Sequence, residues 1–227
     1  MSPQVSRITI LCLLIFALGV QNIFSQNPYS YFYENEFDIE FPIAKGWSIE
    51  AGLGNRGLLA EVEEEENSGY EHQHIEVSQF THYKSSEDIV LSLGLRYRVK
   101  DIFDPSETNE FRIIEQLEFE PAKQGLPLTH RFRLEQRFRE VTVHRGRYEL
   151  ALSKPINDIF AYSVATEALY AVSAHLKPEA EQRFSIGIEN TSFKNLELEL
   201  TFQYRLEDYA RNLGHEFFLI TGVSLEL

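Results

Sequence analysis

The chain has 227 residues, a formal net charge of −14 and a single cysteine, with 43% hydrophobic and 13% aromatic residues. That length suits one sizeable domain. The acidic balance argues against nucleic acid as a partner, and one cysteine, Cys12, excludes an internal disulfide framework.

Arg7 precedes an apolar run, Ile8 to Val20, and Ser25 offers a small residue for cleavage. This is the layout of a secretory signal peptide over residues 1–25. The run is short for a membrane helix, which needs about 20 apolar residues. Cleavage would remove Arg7 and Cys12, taking the charge from −14 to −15 and leaving no thiol in residues 26–227.

Beyond this point apolar residues fall on alternate positions. A first strand is predicted over Tyr31 to Phe41, with Tyr33, Phe37, Ile39 and Phe41 opposing Glu34, Glu36, Asp38 and Glu40. A turn, Pro42 to Gly46, leads to a strand over Trp47 to Gly54, and then a long polar loop is expected from Asn55 to Tyr70. Glu71 to Tyr83 gives a weaker strand. Ile89 to Val99 gives the clearest, with Leu91, Leu93, Leu95 and Tyr97 on one face. A loop containing Asp104-Pro105 precedes a strand over Asn109 to Glu120.

After the turn Pro121 to Pro127 comes Leu128 to Arg139, where Leu128, Phe132, Leu134 and Phe138 alternate with Arg131, Arg133, Glu135, Arg137 and Arg139. Further strands are expected over Arg145 to Ser153, Ile159 to Tyr170, Glu181 to Asn190, Leu196 to Arg205 and His215 to Leu227. In the ambiguous stretch after Ile159, Phe160, Tyr162 and Val164 are taken as the apolar side, with a loop over Ala171 to Ala180.

Short turns alternate with longer loops, strand lengths suit a tilted bilayer crossing, and Trp47, Tyr83, Tyr97, Tyr170, Tyr204 and Phe217 gather at strand ends. The pattern predicts an all-β fold: a single antiparallel up-and-down transmembrane β-barrel of about 10–12 strands. The parse yields eleven strands, whereas single-chain bacterial barrels carry even numbers. Either a strand is missed or merged, or the first is not a full member.

A membrane barrel turns its apolar face to lipid and its charges inward; a soluble lipocalin-like carrier does the reverse. Large residues along the whole apolar face, and mixed charges with glycines opposite, favour the membrane arrangement. The inward charges then need partners. The expected lumen network comprises Arg96, Arg112, Glu118, Arg131, Arg133, Glu135, Arg137, Glu149, Glu197 and Glu199. Glu118, Glu120 and Glu149 are the expected carboxylates for the arginines between Arg131 and Arg139. Such a lumen is filled by ion pairs, not left as a wide pore.

The runs IVLSLGLRY (89–97), EQL (115–117) and above all HRFRLEQRF (130–138) resemble the bacterial family labelled domain of unknown function 2490, over roughly residues 30–227. The resemblance implies a short secreted outer-membrane β-barrel of a Gram-negative cell. It implies no catalytic residues, so none are carried over.

Chemistry-bearing patterns are sparse. His72 and His74 are spaced as a metal pair without a third ligand. His82 and Ser78 form the one candidate Ser–His pair, yet four residues apart on one strand face they do not touch. The acidic run Glu61 to Glu66 lacks the ordered oxygen spacing of a calcium loop. The expectation is a non-enzymatic barrel with membrane lipid as its surroundings, without cofactor, metal or nucleic acid, and with a structural, small-solute or partner-binding role. An outer-leaflet lipid-modifying enzyme and a soluble periplasmic carrier are the alternatives.

Overall fold

The computed structural model describes residues 29–62, 67–68, 70–100, 108–121 and 127–227. The expected signal peptide (residues 1–25, with Cys12), the run Glu63–Glu66, Asp104-Pro105 and residues 122–126 lie outside the described residues. The strands are β1 (Tyr29–Ala44), β2 (Trp47–Val62), a two-residue β3 (Asn67–Ser68), β4 (Glu71–Lys84), β5 (Ile89–Val99) and β6 (Glu110–Phe119). They continue with β7 (Leu128–Phe138), β8 (Val143–Pro155), β9 (Phe160–Ser173), β10 (Glu179–Phe193), β11 (Leu196–Glu207) and β12 (Gly214–Glu226). β3 pairs only with the end of β2, so eleven long strands form one sheet that closes on itself.

Closure corrects the parity expectation. β1 is a full member: it pairs antiparallel with β2 and parallel with β12, from Tyr29 opposite His215 to Glu40 opposite Glu226. A meander of an odd number of strands can close in no other way, because its first and last strands point the same direction. Side chains secure this seam on both faces. Tyr31 stacks on Phe217 at 5.3 Å between ring centroids on the outside, and Phe32 stacks on Phe218 at 4.7 Å on the inside.

Several strands run two or three residues beyond the sequence reading, as β1 does to Ala44 and β10 to Phe193, and two of the predicted loops are shortened. Asn55 to Val62 is strand and not loop, paired with β1 residue by residue across one irregularity at Tyr31/Phe32. Gly52, Gly54, Asn55 and Gly57 blur the alternation there and imitate a loop. Ala171 to Ser173 likewise extends β9, where Leu169 and Ala171 pack inward against Val143. The first turn is Lys45-Gly46: Gly46 takes a φ of 76°, which costs a glycine nothing, and its carbonyl accepts the Lys84 N–H at 2.7 Å. Gly94 serves closeness instead. The Phe80 ring, on the residue paired with Gly94, lies 2.2 Å from where a Cβ would stand.

The two faces sort as a membrane barrel requires. Outward residues such as Leu93 (54% exposed) and Leu134 (57%) alternate with inward Ser92 (7%) and Glu135 (1%). Phe160 and Val164 also face outward. Apolar side chains are therefore outside and charges inside, the opposite of a soluble lipid carrier. Aromatic pairs mark strand ends, Trp47 with Tyr83 at 4.6 Å and Tyr204 with Phe217 at 5.1 Å. Among the described residues there is no helix.

The connections at one end span 2, 4, 8, 4 and 2 residues, and those at the other 8, 10, 4, 5 and 6, counted between successive strand bounds. The alternation of short and long is real but imperfect. The ends are called here the short-turn mouth and the long-connection mouth.

Candidate functional site: the charged lumen

Cross-strand register brings like charges together. Arg96, Arg112 and Arg137 stand directly opposite one another on β5, β6 and β7, and Arg133 stands opposite Arg147. Direct opposition of like charges is destabilising, so the arrangement holds only if carboxylates lie between. They do. Glu76 accepts Arg96 at 2.8 Å and Arg98 at 2.9 Å. Glu110 holds Arg112 and Arg137, the latter at 2.7 Å. Glu135 takes Arg147 at 2.7 Å, with Arg145 at 3.4 Å and Arg133 at 3.9 Å. Glu167 takes Arg147 at 2.8 Å and Arg183 at 3.4 Å. Glu34 takes Arg56 at 2.9 Å and Arg205 at 3.6 Å.

Each of these five glutamates is buried and shared by at least two arginines. The result is a belt with more guanidinium than carboxylate, around a central chamber of about 580 Å³. Arg56 and Arg205 also lie over the Phe218 ring, at 4.8 and 3.5 Å from its centroid. Phe218, Phe32 and Leu58 form an apolar cluster inside the lumen on the long-connection side of the belt.

The short-turn mouth is richer in carboxylate, although Lys84, Arg96, Arg131 and Arg133 also line it. A cavity of about 550 Å³ opens there, lined among others by Glu36, Asp38, Glu40, Glu50 and Glu118. Glu197 lies on the adjoining rim with Asp38, Glu40 and Glu50.

The sequence-derived network residues divide between these zones. Arg96, Arg112, Glu135 and Arg137 belong to the belt, as does Arg133, which also donates from Nε (2.9 Å) and Nη2 (2.6 Å) to Gln116 Oε1. Arg131 pairs with Glu149 at 2.6 Å toward the mouth. Glu199 accepts a hydrogen bond from the Thr201 hydroxyl. Glu118 and Glu197 make no ion pair among the described residues. Of the expected carboxylates Glu149 does take Arg131, whereas Arg137 goes to Glu110, not to Glu118 or Glu120. The belt carboxylates Glu34, Glu76, Glu110 and Glu167 were not singled out from the sequence, although their inward parity marked them.

Of the histidines, His74 is buried with Nε2 3.8 Å from Glu76, and no three metal-ligating side chains cluster among the described residues. His82 has a serine partner that the sequence reading did not name. His82 Nδ1 meets the Ser92 hydroxyl at 2.8 Å, not Ser78, because Ser92 is its cross-strand partner.

A closed meander with an apolar outside, aromatic strand ends and a charged interior is a transmembrane-type β-barrel. The chain belongs to the family described as "Protein of unknown function (DUF2490)", whose pattern matches residues 35–214. No curated protein matches it in sequence. Among solved structures it is similar to the NanC porin, at 14% identity, with 78% of this chain and 85% of that chain covered and a TM-score of 0.47. It is also similar to the siderophore receptor PirA from Pseudomonas aeruginosa, at 7% identity and a TM-score of 0.34; 78% of this chain covers 35% of the receptor.

Proposed function

We propose that residues 26–227 form an outer-membrane β-barrel of a Gram-negative cell, exported by a signal peptide over residues 1–25. Its charge network is a non-catalytic scaffold that fills the lumen, giving a structural or small-solute role in place of a wide pore. The observation that carries this reading is the inversion of faces: Leu134 is exposed to the surroundings while its neighbour Glu135 is sealed inside with three arginines. Glu135 could not stay ionised there without those partners, and Leu134 has no reason to face water along with a whole belt of its kind.

The test is fractionation followed by gel migration with and without boiling, then conductance in planar bilayers. The expected result is an outer-membrane band that shifts on boiling and channels that are small or closed. A soluble periplasmic protein without a shift overturns the reading.

A further inference from the structure

One row of lumen side chains runs along the short-turn mouth and meets the charge belt at Arg133. Ser48, His82, Ser92, Gln116 and Arg133 stand opposite one another in register on β2, β4, β5, β6 and β7. Glu50, two residues along β2, points into the same cavity. Ser92 Oγ lies 2.8 Å from His82 Nδ1. The other ring nitrogen, Nε2, is buried, makes no hydrogen bond, and has Glu50 Oε2 3.5 Å away. A carboxylate on that side favours the tautomer with its proton on Nε2. Nδ1 is then left as an acceptor for the serine hydroxyl. Gln116 has its carbonyl oxygen held by two N–H groups of Arg133, which leaves its amide N–H₂ free of that bond, on the strand next to Ser92.

From these contacts we infer that Ser92, His82 and Glu50 form a nucleophilic centre for hydrolysing small acyl esters at the short-turn mouth. Ser92 and His82 are the catalytic residues and Glu50 is the positioning residue. In acylation, Ser92 Oγ bonds to the ester carbonyl carbon, its proton passes to His82 Nδ1, and the carbonyl electrons move onto oxygen within reach of the Gln116 amide. The carbonyl re-forms, the ester C–O bond breaks, and the His82 proton goes to the leaving alcohol. Water then attacks the acyl-serine, again losing its proton to His82, and the acid departs as Ser92 recovers a proton. A 3.5 Å gap between base and carboxylate is within the looseness of such contacts before a ligand closes the site.

The cavity limits the substrate. Its volume of about 550 Å³ suits a small molecule. Its lining carries both signs, with Lys84, Arg96 and Arg131 facing the same space as Glu36, Glu40 and Glu118, and so sets no strong preference for a charged ligand. A neutral short-chain ester fits both constraints.

The experiment uses the folded barrel in detergent, with a fluorophosphonate probe and p-nitrophenyl acetate. The expected result is covalent labelling mapped to Ser92 by mass spectrometry, together with hydrolysis. Ser92→Ala and His82→Gln should each lower hydrolysis at least about a hundredfold, while Ser78→Ala keeps the native rate. Glu50→Gln should change the shape of the pH–rate profile, whereas a purely structural residue would scale the whole profile. The gel shift on boiling is read in every sample. A shifting, folded barrel that takes no probe at Ser92, or a Ser92→Ala variant as active as the parent, overturns the inference and leaves the barrel reading standing. Labelling without a shift would count against the barrel reading alone.

Discussion

The arginine belt and the short-turn mouth are built from the same strands, and they handle charge in opposite ways. In the belt, five buried glutamates gather ten arginines at salt-bridge distance, and little of either is exposed. At the mouth, carboxylates crowd one another, and Glu118 and Glu197 make no ion pair among the described residues. Burial accounts for the contrast. A charge sealed from water must be paired in good geometry, whereas one that borders an open cavity can keep its hydration. The belt is thus the densely ion-paired part of the lumen, though Arg56, Arg96 and Arg145 keep an Nε without a hydrogen bond, and the mouth is where an entering molecule meets chemistry still available.

The largest test of this contrast is Glu135→Ala. It leaves Arg147 with Glu167 alone and strips Arg145 and Arg133 of their shared carboxylate. A loss of about 3–5 kcal/mol is expected, the scale of breaking a buried ion pair by removing one partner. Urea unfolding followed by the gel shift measures it. An effect below about 1 kcal/mol, the range of exposed pairs, would mean that water reaches the belt as freely as the mouth.

Arg131→Ala tests the boundary. Arg131 and Glu149 are a quarter or so exposed, so about 1 kcal/mol or less is expected, diminishing as salt is raised. The smallest effect is expected at the rim. Glu197→Gln should change stability by no more than about 0.5 kcal/mol in either direction, since it relieves crowding and breaks no ion pair. A large loss there would reveal a partner for that carboxylate and erase the contrast.

The sequence carried the faces of the barrel more reliably than its pairings. Period-two alternation put Leu93 and Leu134 outside and Glu135 inside, and it resolved even the ambiguous stretch at Phe160, Tyr162 and Val164. Where small residues interrupt the period, as at Gly52, Gly54 and Gly57, the same signal stopped β2 too early. Pairings depend on register between strands, which no single strand encodes. Hence of Glu118, Glu120 and Glu149, offered together for the arginines of β7, only Glu149 pairs there, with Arg131, while Arg137 pairs with Glu110; and the serine beside His82 is Ser92 on the next strand, which the sequence does not point to. The even-number rule also misled. The seam itself is lined by adjacent aromatics, Tyr31 and Phe32 on β1 against Phe217 and Phe218 on β12. They are legible as a seam only once the two strands are known to be neighbours.

The parallel seam has a consequence for rewiring the chain. With eleven crossings, β1 starts at the long-connection mouth and β12 ends at the short-turn mouth. In a barrel with an even count both termini share a mouth, and a short linker can join them to make a circular permutant. Here a linker from Glu226 to Tyr29 would have to run the full height of the wall, through the lumen or through lipid. At about 3.3 Å per residue even an extended linker would need about a dozen residues to match one strand. Inside it would displace the belt, and outside its backbone amides would have no partners. Barrels of this parity can be cut and fused at loops on either side, but their ends cannot be spliced.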